Sequence, residues 1–134
     1  MNTELETAFL AAVAALPALA EIEHRTGVSG EENDSENARI IVHCPESEHV
    51  AGPLWRATIN FRLESPAYDN ARGAHEERWK ALRSWLENPE VVAATTFPGG
   101  IALRGFHVRK SATALESNRW IGEIEIVGGV DTSV

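Results

Sequence analysis

The stretch "LWRATINFRLE", residues 54–64, alternates without interruption. Trp55, Ala57, Ile59, Phe61 and Leu63 fall on one side, and Arg56, Thr58, Asn60, Arg62 and Glu64 on the other. Successive side chains of a strand point to opposite faces of the sheet, so this period of two predicts a strand with one buried and one wet face. Just upstream, "RIIVHC" at 39–44 is apolar and β-branched and reads as a second strand, ended by Pro45. "ESEHVAGP", 46–53, then reads as the connection of an antiparallel pair.

Toward the N-terminus, Leu5, Phe9, Ala12 and Leu16 recur at helical spacing, and Thr3 with Glu6 fits a capping box, so residues 4–16 are predicted helical. Pro17 stops or kinks that helix. Its opposite side, Ala11, Ala14, Ala15 and Ala18, suits water or close approach by another chain. "ALAEIEHR", 18–25, fits either a short strand or a further helical turn. "TGVSGEENDSENA", 26–38, is polar and acidic and predicts a mobile loop.

Downstream, His75, Trp79, Leu82 and Leu86 form one stripe of a helix over 74–87, broken by "NPE" at 88–90. "IALRGFHVR", 101–109, reads as a strand interrupted by Gly105, which fits a bulge or a close backbone approach, followed by a turn or longer hairpin loop "KSATALESN". In "RWIGEIEIV", 119–127, Trp120, Ile124 and Ile126 oppose Glu123 and Glu125, giving the last strand, and 128–134 is left as a flexible tail. The order α-β-β-α-β-β predicts a single α+β domain over 1–134. Its architecture is a mainly antiparallel four-stranded sheet with two helices on one face.

Charge narrows the function classes. The net charge of -8 lies in residues 1–50, where ten acids meet only Arg25 and Arg39, while residues 51–134 balance ten acids with ten bases. Phosphate backbones demand a basic face, so specific nucleic-acid binding is not expected. One cysteine excludes an internal disulfide. The N-terminal stretch lacks the basic start of a signal peptide, and no apolar run approaches a membrane span.

"IVHCPESEHV", 41–50, gathers His43, Cys44, Glu46, Glu48 and His49. Its spacing matches no compact zinc pattern, and strand geometry sends His43 and Cys44 to opposite faces. Nearby carboxylates disfavour a thiolate, so Cys44 reads as a small buried hydrophobe. "HEER" at 75–78 lacks the second histidine of a zinc helix, and "FPGG" lacks the Lys of a phosphate loop. The expectation is no catalytic residue, no metal and no cofactor. A small enzyme or ligand-binding domain using the His43/Cys44 region is the alternative. Arg56, Arg62, Arg109 and Arg119 are expected beside Glu123 and Glu125 on the polar face, where cross-strand ion pairing accounts for them.

"VHCPESEHVAGPLWRATINFRLESPAYD", "HEERWKALRSWLEN" and "RGFHVRKSATALESNRWIGEIEIV" together resemble the small tail terminator, or tail-completion, proteins of tailed bacteriophages. The resemblance spans about residues 39–127 and rests on size and alternation. It implies a non-enzymatic assembly protein: a homo-oligomer, hexameric in that family, whose ring caps the tail tube and joins it to the head. Its partners would be the tail tube protein and a head-completion or connector protein, and another connector or minor tail role is the nearest variant. Its place would be the head-proximal end of the virion tail, after assembly in the host cytoplasm. Glu31, Glu32, Asp34 and Glu36 would then contact the tube or lumen, and Arg56, Arg62, Arg109, Arg119, Glu123 and Glu125 would serve subunit pairing.

Overall fold

The computed structural model describes residues 1–27, 37–67, 71–95, 97–116 and 118–133. The chain runs α1 (Asn2–Ala14), a 3-10 turn (Pro17–Leu19), β1 (Glu23–Thr26), β2 (Arg39–Ala51), β3 (Leu54–Pro66), α2 (Ala71–Leu86), α3 (Pro89–Ala94), β4 (Ala102–Glu116) and β5 (Arg119–Asp131). The sheet order is β1-β2-β3-β5-β4. β1 pairs with β2 in parallel, and every other pairing is antiparallel. The α+β class and the antiparallel strand pairs are as read from the sequence. The count is corrected: among the described residues there are five strands and three α-helices, not four and two.

The core lies between the sheet and the helices. Leu5, Phe9 and Val13 of α1 meet Ile40 and Val42 of β2, Ile59, Phe61 and Leu63 of β3, and Leu82, Trp85 and Leu86 of α2. Phe9 stacks near Phe97 at 4.7 Å between ring centroids and meets Phe61 edge-on at 6.0 Å. Gly122 of β5 makes room for the Trp79 ring, since a Cβ there would lie 2.6 Å from Cζ3 of that ring.

Three boundaries differ for physical reasons. Pro45 does not end β2, because it sits in the register shift between His43 and Glu46, where no ladder N–H is required. Residues 128–131 are not a tail: β5 continues to Asp131, with Gly128 facing the β4 bulge, where a Cβ would lie 2.8 Å from the Gly105 carbonyl oxygen. "KSATAL" is not a loop but the outer half of β4. It is exposed on both faces, so it carries no apolar alternation to read. In addition, Pro89 opens α3 at its first turn, where a missing N–H costs nothing. The expected mobility of the acidic loop falls almost wholly on residues outside the described set.

Candidate functional site: the polar face and free edge of the sheet

The sheet face away from the helices was expected to be wet throughout. Part of it is not. Glu64, directly opposite Arg39 in the β2–β3 register, is 1% exposed, and Arg39 is fully buried. The two pair at 2.6 Å. Arg62 approaches the same carboxylate at 2.6 Å and Arg119 at 3.5 Å, while Arg119 also donates to the Asn37 carbonyl at 3.2 Å. One buried carboxylate thus gathers three guanidiniums, which holds β2, β3 and the start of β5 together. Thr58 is buried as well.

Beyond this knot the face opens into a shallow cleft of about 250 Å³, lined by Gly27, Ile41, His43, Asn60, Phe61, Arg62, Lys110, Glu123, Ile124 and Glu125. Arg62 and Lys110 both hold Glu123, and Arg109 holds Glu125. Burial alone pushes the Glu123 carboxyl up, but its bonds with Lys110 and Arg62 leave it below the usual carboxylate range. Cross-strand pairing therefore accounts for Arg62, Arg109, Glu123 and Glu125 within one chain. Arg119 belongs to the Glu64 knot. Arg56 is exposed and stands opposite Glu48 in register. Glu31, Glu32, Asp34 and Glu36 lie outside the described residues.

His43 and Cys44 do take opposite faces, yet both meet Glu6 of α1. Glu6 Oε2 accepts the Cys44 backbone N–H at 2.8 Å and lies 2.9 Å from His43 Nδ1. β1 ends opposite Val42, so Glu6 satisfies the next donor on the β2 edge. A few residues on, Ser47 bonds Asn2 of α1. The Cys44 thiol is buried in the core and pushed up to about 11, chiefly by burial. It is a packed hydrophobe, not a poised nucleophile. Glu6 was read only as a capping residue; nothing in its local sequence signals its long-range edge role.

The remaining histidines are held by neighbours or lie on the surface. His75 of α2 is 1% exposed, with Nδ1 2.9 Å from Ser65 Oγ and Nε2 3.1 Å from Thr113 Oγ1. Thr113 in turn donates to the Ile121 carbonyl at 3.1 Å. That assigns Nε2–H as the donor to Thr113, and burial favours the neutral ring, in which Nδ1 accepts from Ser65. Burial, with Arg78 adding, keeps its pKa below the ordinary value. This Ser-His-Thr chain ties α2 to β3 and β4 and presents no nucleophile, because Ser65 is fully buried. His24 bonds the Leu19 carbonyl, His49 the Gly52 carbonyl, and His107 is exposed. Among the described residues no three His, Cys, Asp or Glu groups are placed to share a metal ion.

The outer edge of β4 was missed in the sequence. Residues 107–116 are exposed without exception, including Val108 and Leu115. The half nearer the β4 start is irregular, with register shifts between Leu103 and Phe106 and between Val108 and Lys110. From Lys110 to Glu116 the pairing with β5 is continuous.

No family model and no curated protein sequence matches the chain. Solved structures do. One chain of the virion of a native gene transfer agent particle is similar over 97% of this chain and 95% of its own, at 12% identity and a TM-score of 0.53. This chain shares its fold. A second solved structure is similar over 96% of this chain and 90% of its own, at 15% identity and a TM-score of 0.46.

Proposed function

We propose that this chain is a non-enzymatic structural subunit of a phage-like particle, and specifically a tail terminator. In this reading it forms a ring that caps the tail tube and joins it to the head. The observation that carries the proposal is the fold shared, over nearly the full length of both chains, with a component of a gene transfer agent virion. The geometry of the polar face supports it. Most of its charged groups among the described residues hold strands together, as suits a scaffold, and the contacts of Glu6 with His43 and with the Cys44 backbone N–H are an edge clamp. A ring needs two different surfaces that meet head to tail. Arg56 and the exposed alanines Ala11 of α1, Ala15 just after it and Ala18 of the 3-10 turn are available for them, with the Arg62–Glu123 and Arg109–Glu125 pairs able to exchange partners across the contact. Glu31, Glu32, Asp34 and Glu36 are assigned to the tube or lumen.

The test is to mix the purified chain with the tail tube protein of its own particle and measure native mass and images of the tube ends. A closed multimer of about six copies at a tube end is expected. Tubes that remain bare and keep elongating in its presence would overturn the terminator reading.

A further inference from the structure

The two edges of the sheet are unlike each other. On one side, β1 is only four residues long, and beyond it the β2 edge is clamped by Glu6 on the Cys44 N–H and by Asn2 on Ser47. On the other, β4 runs for fifteen residues, paired with β5 on its inner side and with no strand on its outer side among the described residues. Exposed strand edges are normally blunted by bulges and by Arg or Lys. The first part of β4 has both: Arg104, Arg109 and two register shifts. The second part has neither. Residues 111–115, Ser-Ala-Thr-Ala-Leu, are uncharged, regular and exposed, and they lie between Lys110 and Glu116. Every other residue there turns its N–H and C=O away from β5.

The stretch "KSATALE", 110–116, is complementary to itself when reversed. If two copies pair antiparallel about Thr113, Lys110 of each lies opposite Glu116 of the other, Ser111 opposite Leu115, and Ala112 opposite Ala114. Lys110 and Glu116 both lie on the polar face, since Thr113 between them points to His75 on the helix face. Both ends of the pairing therefore bring opposite charges together. The clamped β2 edge offers this strand no comparable partner. We propose that β4 residues 110–116 form a two-fold interface with a second copy of this chain, joining two five-stranded sheets into one continuous sheet. The proposal goes beyond the terminator reading and does not depend on it, because a two-fold contact closes with two copies and builds no ring.

The test uses the full chain alone, without tube protein. Native mass is followed from about 1 μM to about 1 mM, the range expected of a small interface. The unmodified chain shifts from monomer to dimer across it. Lys110→Glu gives a copy with two acids at the interface, and Glu116→Lys a copy with two bases. Each alone dimerises about tenfold more weakly or worse, because like charges now face each other. Mixed in equal amounts they pair at least as well as the unmodified chain, a recovery that general destabilisation cannot produce. The register is checked with Ala112→Cys and Ala114→Cys, both exposed, while Cys44 stays buried. Under oxidation the mixture cross-links and each variant alone does so far less. A chain monomeric at the highest concentration, a mixture no better than the single variants, or cross-linking within one variant rather than between the two would each overturn the proposal. Loss of this dimer would leave the tube-capping assay unaffected, so the two readings fail separately.

Discussion

The Arg39 guanidinium and the Glu64 carboxylate lie 2.6 Å apart at opposed positions of β2 and β3, and neither side chain is more than 2% exposed. Arg62 and Arg119 converge on the same carboxylate. Burying charge is costly, and a buried ion pair contributes little net stability over a well-packed apolar pair. Removing one partner is another matter, because the remaining charge is left without compensation. Glu64→Gln is therefore expected to cost about 3–5 kcal/mol, read from urea unfolding monitored by tryptophan fluorescence. The double variant Arg39→Met with Glu64→Leu should be less destabilised than the sum of the single changes. An additive result would show that the pair is not coupled.

His75 gives the chain an acid-sensitive joint. Its folded-state pKa lies below the ordinary value of 6.5 because the ring is buried. The unfolded chain therefore binds the proton more readily. Its contribution to stability is full above about pH 6.5. That contribution is lost as pH falls through the lowered folded value, and the loss levels off once both states are protonated. Unfolding free energy measured from pH 8 down to pH 5 should decline more steeply for the native chain than for His75→Gln. Equal slopes would mean that His75 titrates as freely in the folded chain as in the unfolded one.

Cys44 should be inert in the folded chain. A thiol raised to about 11 has almost no thiolate at neutral pH, and the side chain is 2% exposed. A thiol reagent at pH 8 should label it only as fast as the chain opens, and readily in denaturant. Cys44→Ala should lower stability by about 1 kcal/mol, as a small cavity does. It should leave assembly intact. Fast labelling of the native chain would reopen a chemical role for the 41–50 segment.

The legibility of the fold tracks burial. β3 declared itself because its side chains alternate between core and polar face along most of its length, and α2 because His75, Trp79, Leu82 and Leu86 share one buried stripe. The outer half of β4 has no buried face and so left no period in the sequence. Pro45 concealed the second half of β2, because a proline at a bulge looks the same in sequence as a proline at a strand end. For the polar face, the residue types were legible but their partners were not. Glu64 alternates like a solvent-facing residue, and only the β2–β3 register puts Arg39 against it. Glu6 meets Cys44 across 38 positions, a distance no local pattern spans.

Gly122 and Trp79 supply the sharpest packing test. The tryptophan of α2 packs over Gly122 of β5, where no side chain stands. A methyl group there would lie 2.6 Å from Cζ3 of the indole, well inside contact distance. The backbone of β5 is fixed by strands on both sides, so the ring and its helix must give way. Gly122→Ala is expected to cost about 1–3 kcal/mol by overpacking. Because α2 would be pushed outward, the bonds from His75 to Ser65 and Thr113 should loosen with it, and amide exchange at the β4–β5 ladder near Thr113 should quicken. Trp79→Leu in the same chain removes the ring atoms that clash, so adding Gly122→Ala to it should cost much less than adding it to the native chain. A thermal melt of the four proteins measures that difference. Equal costs in the two backgrounds would show that the glycine serves the strand backbone and not the helix.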